Sequence, residues 1–311
     1  MKVSVIGAGN VGAMVASRII DNNLADVALI DIVPGLAKGK ALDIGDASPI
    51  AGSKAKIIGT EDFASMKDSH IVVITAGLAR KPGMSRDDLL KKNAEIIKEV
   101  SLKVKKFAPS SIVIVVTNPL DVMTYLAMKT TGFNTKKVIG MAGVLDSARF
   151  INILSEKASG IDEEKIFMMG SHGDSMVAVD RTQKLSADIF KEASLRAKNR
   201  GAEIVSHLKT GSAYFAPSAA VFSMVKAILK NEGKTLCASS YLNGEYGEKD
   251  IYIGVPSVLD SSGIKKILEI ELTEEEKTSF KKSAQAIREA INKLSPYVKI
   301  RPCYNRIRPM R

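Results

Sequence analysis

The 311-residue chain has three histidines, and one of them, His172, lies in Gly170-Ser171-His172-Gly173-Asp174 directly after the apolar run 166–169. An imidazole at a strand end beside small residues leaves room for a substrate. It titrates near neutral pH, as proton exchange with an alcohol and a ketone requires. Taken alone, a strand-end histidine is more often structural. His70, opening a strand after Asp68-Ser69, and His207, in a helical stretch with Val205 and Leu208, lack that glycine-lined setting and read as packing or surface residues. Asp146 and Arg149, in Leu145-Asp146-Ser147-Ala148-Arg149-Phe150, are three apart and share a helix face; in isolation they read as a surface ion pair. Arg80-Lys81-Pro82-Gly83-Met84-Ser85-Arg86 puts cations on a loop after a buried strand, by default a solvated surface.

A second group of residues suits a nucleotide. Gly7-Ala8-Gly9-Asn10-Val11-Gly12 has the G-x-G-x-x-G spacing, a weak signal alone because glycines also mark plain turns. Here it ends a β-branched run and opens a helical pattern. Gly7 then permits the tight turn, Gly9 lets the backbone approach a pyrophosphate, and Gly12 allows close packing of a helix whose N-terminus attracts the phosphates. Asp31 closes the second apolar strand, nineteen residues after Gly12. A carboxylate there accepts both adenosine ribose hydroxyls and repels a 2′-phosphate, which favours NAD over NADP. FAD uses the same fingerprint and is the minor competitor. Val116-Thr117-Asn118-Pro119 places Asn118 at the C-terminal edge of a buried strand, where open α/β sheets bind ligands.

The elements that must position these residues alternate in the first half. Strands are expected at 3–6, 27–30, 56–58, 71–75, 112–117 and 138–140, and helices at 11–20, 89–106 and 120–129. The continuous apolar run Ile71-Val72-Val73-Ile74 implies burial on both faces of a parallel sheet. Residues 1–143 therefore read as a doubly wound α/β domain of the Rossmann kind. From about residue 144, helical patterns at 147–159, 189–207 and 219–229 and hairpin-like runs at 236–241 and 251–255 fit a mixed α+β domain reaching residue 297. Thr273 and Glu276 form a capping-box pattern that starts a last helix through Leu294. Residues 298–311 read as an exposed basic tail.

Apolar residues at 45% and charged residues at 25% are those of an ordinary soluble globule long enough for two domains. Of the net charge of +11, five charges are Lys299, Arg301, Arg306, Arg308 and Arg311, clustered in the last thirteen residues without an acid. The remaining excess is mild. With no Trp and 5% aromatics, nucleic acid is not an expected partner. Cys237 and Cys303 are too few for a disulfide framework and lack metal-site spacing, so no metal is expected and a reducing compartment is the default. Neither a signal peptide nor an apolar span is legible, which leads to the expectation of a cytoplasmic protein without membrane attachment.

Together these segments resemble the lactate/malate dehydrogenase family from Gly7 to about Leu294. The resemblance extends to Thr75-Ala76-Gly77, Gly211 to Pro217 and Gly244-Glu245-Tyr246-Gly247, and Arg80 to Leu90 is similar to bacterial malate dehydrogenases built on the lactate dehydrogenase plan. It implies NAD-dependent hydride transfer with His172 as proton acceptor in malate oxidation and Asp146 holding the other imidazole nitrogen. It further implies Arg149 as clamp on the carboxylate next to the reacting carbon, and Arg86 polarising the carbonyl from a lid at 78–90. Asn93 and Asn118 would complete the cofactor and substrate contacts, beside Val116 and Thr117, and Arg80 would select the second carboxylate of a dicarboxylate. A dimer or tetramer is implied as well. Lactate dehydrogenase is the nearest alternative, and an NAD-binding protein without turnover a distant one. Two stretches depart from the family's pattern: Ser171, where Gly or Ala is common, and Val179-Asp180-Arg181-Thr182-Gln183.

Overall fold

The structure, a computed structural model, describes residues 1–79, 83–173, 175–295 and 297. Strands β1 (Lys2–Ile6), β2 (Asp26–Ile30), β3 (Ile57–Thr60), β4 (Ile71–Ile74), β5 (Ile112–Val115) and β6 (Val138–Gly140) alternate with helices α1 (Asn10–Asp21), α2 (Leu36–Ala47), α3 (Arg86–Phe107) and α4 (Leu120–Thr131). These six strands are parallel, in the order β3-β2-β1-β4-β5-β6. Every residue of β4 and β5 is buried, because helices cover both faces of the sheet. The strand order reverses between β1 and β4, and the turns that follow β1, β4 and β5 open there, at the carboxyl edge where such sheets take their ligands.

Helix α2 has no counterpart among the expected elements. It buries only Ala37 and Ala41 and contains Gly39 and Gly45, so it has no apolar stripe for periodicity to reveal. The expected lid at 78–90 is shorter as a loop than its sequence suggests. A capping box between Ser85 and Asp88 starts α3 at Arg86, so the end of the lid is already the first turn of a 22-residue helix.

In the second half, α5 (Gly143–Ser155), α6 (Ala187–Leu208), α7 (Phe215–Leu229) and α8 (Glu274–Asn292) accompany strands β7 (Ile166–Met169), β8 (Val177–Asp180), β9 (Lys234–Asn243), β10 (Lys249–Asp260) and β11 (Gly263–Ile267). The expected hairpin does not form a layer of its own. Strands β9, β10 and β11 extend the parallel sheet as an antiparallel meander, with β9 joining β6 antiparallel at Gly140 and Ser239, to give nine strands among the described residues. The β7–β8 pair is a separate ribbon. Its end is fastened to β10 where Gly170 and Gly254 exchange two backbone hydrogen bonds of 2.9 and 3.0 Å. A Cβ on Gly254 would lie 2.7 Å from the Gly170 carbonyl oxygen, so this close approach requires glycine.

The Thr273–Glu276 capping box forms as expected. Arg181, in one of the two departing stretches, bonds both carboxylate oxygens of Glu276 and the Glu271 carbonyl, tying the end of β8 to the start of α8. Two apolar clusters fill the faces of the sheet, and a third, around Phe150, Ile153, Leu154 and Met168, packs α5 against β7 and α6. No helix among the described residues is long and apolar enough to cross a membrane.

Candidate active site

The predicted residues fall into two clusters. The first is the turn from β1 into α1. A Cβ on Gly12 would lie 1.9 Å from the Gly7 carbonyl oxygen, so α1 can leave β1 at this angle only without a side chain there. Around Gly9, by contrast, nothing lies within 4 Å of an added Cβ, and both Gly9 and Asn10 are exposed. Among the described residues no side chain caps α1 and no acid stands in its first turn, which leaves its N-terminal N–H groups without a side-chain partner. Val11 is half-buried behind them. Asp31 completes the cluster. Its Oδ2 accepts the Ala8 N–H at 2.6 Å and its Oδ1 accepts the Val33 N–H at 2.9 Å, so each oxygen keeps a lone pair for a ribose hydroxyl. These features fit a dinucleotide: backbone donors for a pyrophosphate and a carboxylate for the adenosine ribose.

The second cluster joins residues far apart in sequence. Asp146 on α5 is buried and bonds two partners at once. Its Oδ2 faces His172 Nδ1 at 2.7 Å, and its Oδ1 accepts from Arg149 Nη1 at 3.3 Å. The negative charge of Asp146 raises the His172 pKa above its ordinary value, against an opposing effect of burial. With Nδ1 engaged, Nε2 is the nitrogen left for a substrate. Arg149 Nε is buried without a hydrogen-bond partner among the described residues, so this guanidinium has donor capacity to spare. The Asp146–Arg149 spacing thus marks more than a surface ion pair.

The chain leading into His172 is held from two directions. The Ser171 N–H donates to Ser283 Oγ of α8 at 2.7 Å, which gives the other departing residue an ordinary structural tie. The His172 N–H donates to Asp121 Oδ2 of α4 at 3.0 Å. Sequence reasoning missed Asp121, whose place in the first turn of a helix has a sufficient explanation in the helix dipole.

The other predicted residues divide. Asn118 is exposed at the edge after β5, and its carbonyl accepts from Asn93 at 2.6 Å. Asn93 is fully buried, and its amide is spent on Leu78 and Asn118 backbone groups. It braces the loops after β4 and β5 and does not reach outward. Thr117 is buried and donates to the Ala76 carbonyl at 2.7 Å, while Val116 is half-buried beside it. Arg86 is exposed at the start of α3, a cation at the positive end of a helix, where the dipole gives no reason for it. Arg80 lies outside the described residues, as does the tail 298–311. Cys237 is buried behind the pair, with its thiol on the Met168 carbonyl and its pKa pushed up by burial, so it is no nucleophile.

A dinucleotide turn combined in one chain with a histidine–carboxylate pair that has an arginine beside it defines an NAD-dependent dehydrogenase. Residues 1–140 match the lactate/malate dehydrogenase NAD-binding domain, and residues 143–297 match the α/β C-terminal domain of the same family. The chain belongs to the lactate/malate dehydrogenase family. It is 50% identical over 304 residues to a malate dehydrogenase of Methanosarcina barkeri, covering 94% of this chain and 99% of the relative. Among solved structures it is similar to the malate dehydrogenase of Salinibacter ruber, with a TM-score of 0.89, 40% identity and coverage of 95% and 98% of the two chains. The Archaeoglobus fulgidus malate dehydrogenase solved with NADH superposes with a TM-score of 0.89 at 36% identity, covering 95% of this chain and 100% of the other.

Proposed function

We propose that the protein is an NAD-dependent malate dehydrogenase that interconverts (S)-malate and oxaloacetate. The observation that carries the chemistry is Asp146 bonding His172 and Arg149 together. In this reading residues 1–143 hold the cofactor and residues 144–297 carry the acid–base and anion-binding groups. Gly7 to Gly12 and Asp31 would hold the pyrophosphate and the adenosine ribose, and Val116, Thr117 and Asn118 would lie near the nicotinamide. When bound, NAD supplies the hydride acceptor.

Arg149 pairs with the carboxylate next to the reacting carbon, a planar match that a guanidinium suits. His172 takes the hydroxyl proton at Nε2, and Asp146 stabilises the imidazolium that results, the same logic as a histidine–carboxylate pair elsewhere. Arg86, from the start of α3, polarises the oxygen of the ketone in the reverse direction. The similarity of residues 80–90 to bacterial malate dehydrogenases supports a dicarboxylate substrate, with Arg80 as partner of its second carboxylate. The sign of the pH dependence follows. Malate oxidation needs neutral His172 and rises as pH passes its raised pKa, whereas oxaloacetate reduction needs the imidazolium and is lost over the same range.

The relatives' identity and the absence of a membrane-crossing helix among the described residues support a cytoplasmic location. For assembly we propose a dimer or tetramer, supported by Leu42 on α2 and Ile50 just beyond it, which are 61% and 91% exposed in a single chain. The substrate assignment is tested by initial rates of NADH oxidation with oxaloacetate and with pyruvate side by side. Preference for oxaloacetate is expected, and preference for pyruvate would make the enzyme a lactate dehydrogenase.

A further inference from the structure

We infer that Asp121 is a positioning residue of the active site, holding the main chain of His172 while Asp146 holds its ring, and that its negative charge helps set the pH at which His172 exchanges its proton. This rests on the reading of His172 as the acid–base group. Asp121 is 2% exposed and its two oxygens are divided. Oδ2 accepts the His172 N–H at 3.0 Å, and Oδ1 accepts the Ser239 hydroxyl of β9 at 2.7 Å. Asp146 approaches the same residue at Nδ1 from α5. His172 is therefore gripped at backbone and ring by two carboxylates from two helices.

The surroundings of Asp121 give its charge a use. A buried ion is costly unless paired, yet neither a lysine nor an arginine bonds to Asp121 among the described residues. Burial pushes its pKa up, opposed by the bonds from Ser239 and the His172 N–H, by the charge of His172 and, least, by the Ser171 hydroxyl. The charged groups acting on His172 from the elements around it are Asp146 and Arg149 on α5 and Asp121 on α4, and the buried Cys237 thiol on β9 lies near both aspartates. The cation that arises nearest to Asp121 is then His172 itself, during turnover, and the charges of both aspartates stabilise that form while Arg149 opposes it. Asp121 also lies three residues beyond Asn118, on the segment whose Val116, Thr117 and Asn118 are proposed above to lie near the nicotinamide, so on that reading one short stretch of chain serves both the ligand edge and the histidine.

Asp121→Asn separates charge from geometry. Its carbonyl can still accept the His172 N–H, and its amide can donate to the Ser239 hydroxyl, which rotates to accept. The 15N-labelled His172 ring should lose its proton at lower pH in Asp121→Asn than in the wild type, an NMR titration that needs no turnover. Where oxaloacetate is reduced, the loss of that activity with rising pH should move to lower pH in parallel, with NADH affinity unchanged. Asp121→Ala, which frees the peptide as well, should lower kcat by roughly 10²-fold, as a small misplacement of a reacting group does, and Asp121→Asn should restore most of it. Superimposable His172 titrations in wild type and Asp121→Asn would overturn the electrostatic role, and unchanged kcat in Asp121→Ala would overturn the positioning role. If Asp121→Ala does not fold, the comparison of Asp121→Asn with Ser239→Ala, which removes only the second bond, decides positioning: a several-fold loss of kcat with unchanged KM supports it, and wild-type kcat in Ser239→Ala contradicts it. A wild type that ignores oxaloacetate while the His172 titration still shifts would sink the substrate assignment and leave the role of Asp121 standing.

Discussion

The two halves of the active site are built from different materials. The cofactor side is mostly backbone: a turn that glycine alone permits, the N–H groups of α1, and one carboxylate placed by a strand end. The catalytic side is mostly side chains, with Asp121 of α4 and Asp146 of α5 on a single histidine of the β7–β8 turn, and Ser239 of β9 and Ser283 of α8 holding Asp121 and Ser171 beside it. A backbone site depends on a few consecutive positions and fails when one gains a side chain. A side-chain site can lose its chemistry while its shape survives.

The sharpest break in that contrast is predicted for Gly12→Val. Its Cβ would stand 1.9 Å from the Gly7 carbonyl oxygen, forcing α1 away from β1. NADH binding, followed by the fluorescence of the nicotinamide, should disappear; a variant that binds NADH normally would show that the turn tolerates what its geometry forbids. Next in size is Arg80→Gln, at a residue outside the described ones. A dicarboxylate enclosed under the lid needs a partner for its second charge, and truncating one member of a buried pair typically costs about 2–5 kcal/mol. The specificity constant for oxaloacetate should fall by roughly 30- to several-thousand-fold while pyruvate loses much less. A ratio of the two within about threefold of wild type would remove Arg80 from substrate selection.

The same contrast explains what could be read without coordinates. The parallel sheet, its strand positions and the dinucleotide turn are legible because their residues are contiguous and periodic. Helix α2 was not, because two buried alanines make no stripe, nor was β11, whose Lys265 and Lys266 suit an exposed edge and break the apolar pattern. The merging of β9 to β11 into the first sheet rests on the pairing of Gly140 with Ser239, 99 positions apart, which no local pattern announces. At the site, His172, Asp146 and Arg149 had weak individual readings and gained meaning from family resemblance. Asp121 had none, since its partners His172 and Ser239 lie 51 and 118 positions away.

Smaller effects sharpen the comparison further. With both Asp31 oxygens retaining room for a ribose hydroxyl, the wild type should favour NAD(H) over NADP(H) in specificity constant, and Asp31→Ser should narrow that preference by roughly 10- to 100-fold through lost hydrogen bonds to a charged acceptor. Equal constants for the two cofactors in the wild type would refute the assignment. Arg181→Ala removes the tie between β8 and α8. It should cost about 1–2 kcal/mol, seen as a melting temperature about 2–6 °C lower, with kcat unchanged. An unchanged melting temperature would show that the tie contributes nothing.

The central claim is that side chains on the substrate side do the chemistry while the cofactor side binds without them, and His172→Asn tests it most directly. NADH affinity, measured by fluorescence titration, should match the wild type, and oxaloacetate turnover should fall by at least roughly 10²-fold, the usual contribution of a general acid–base group. Turnover close to that of the wild type in His172→Asn would contradict the account.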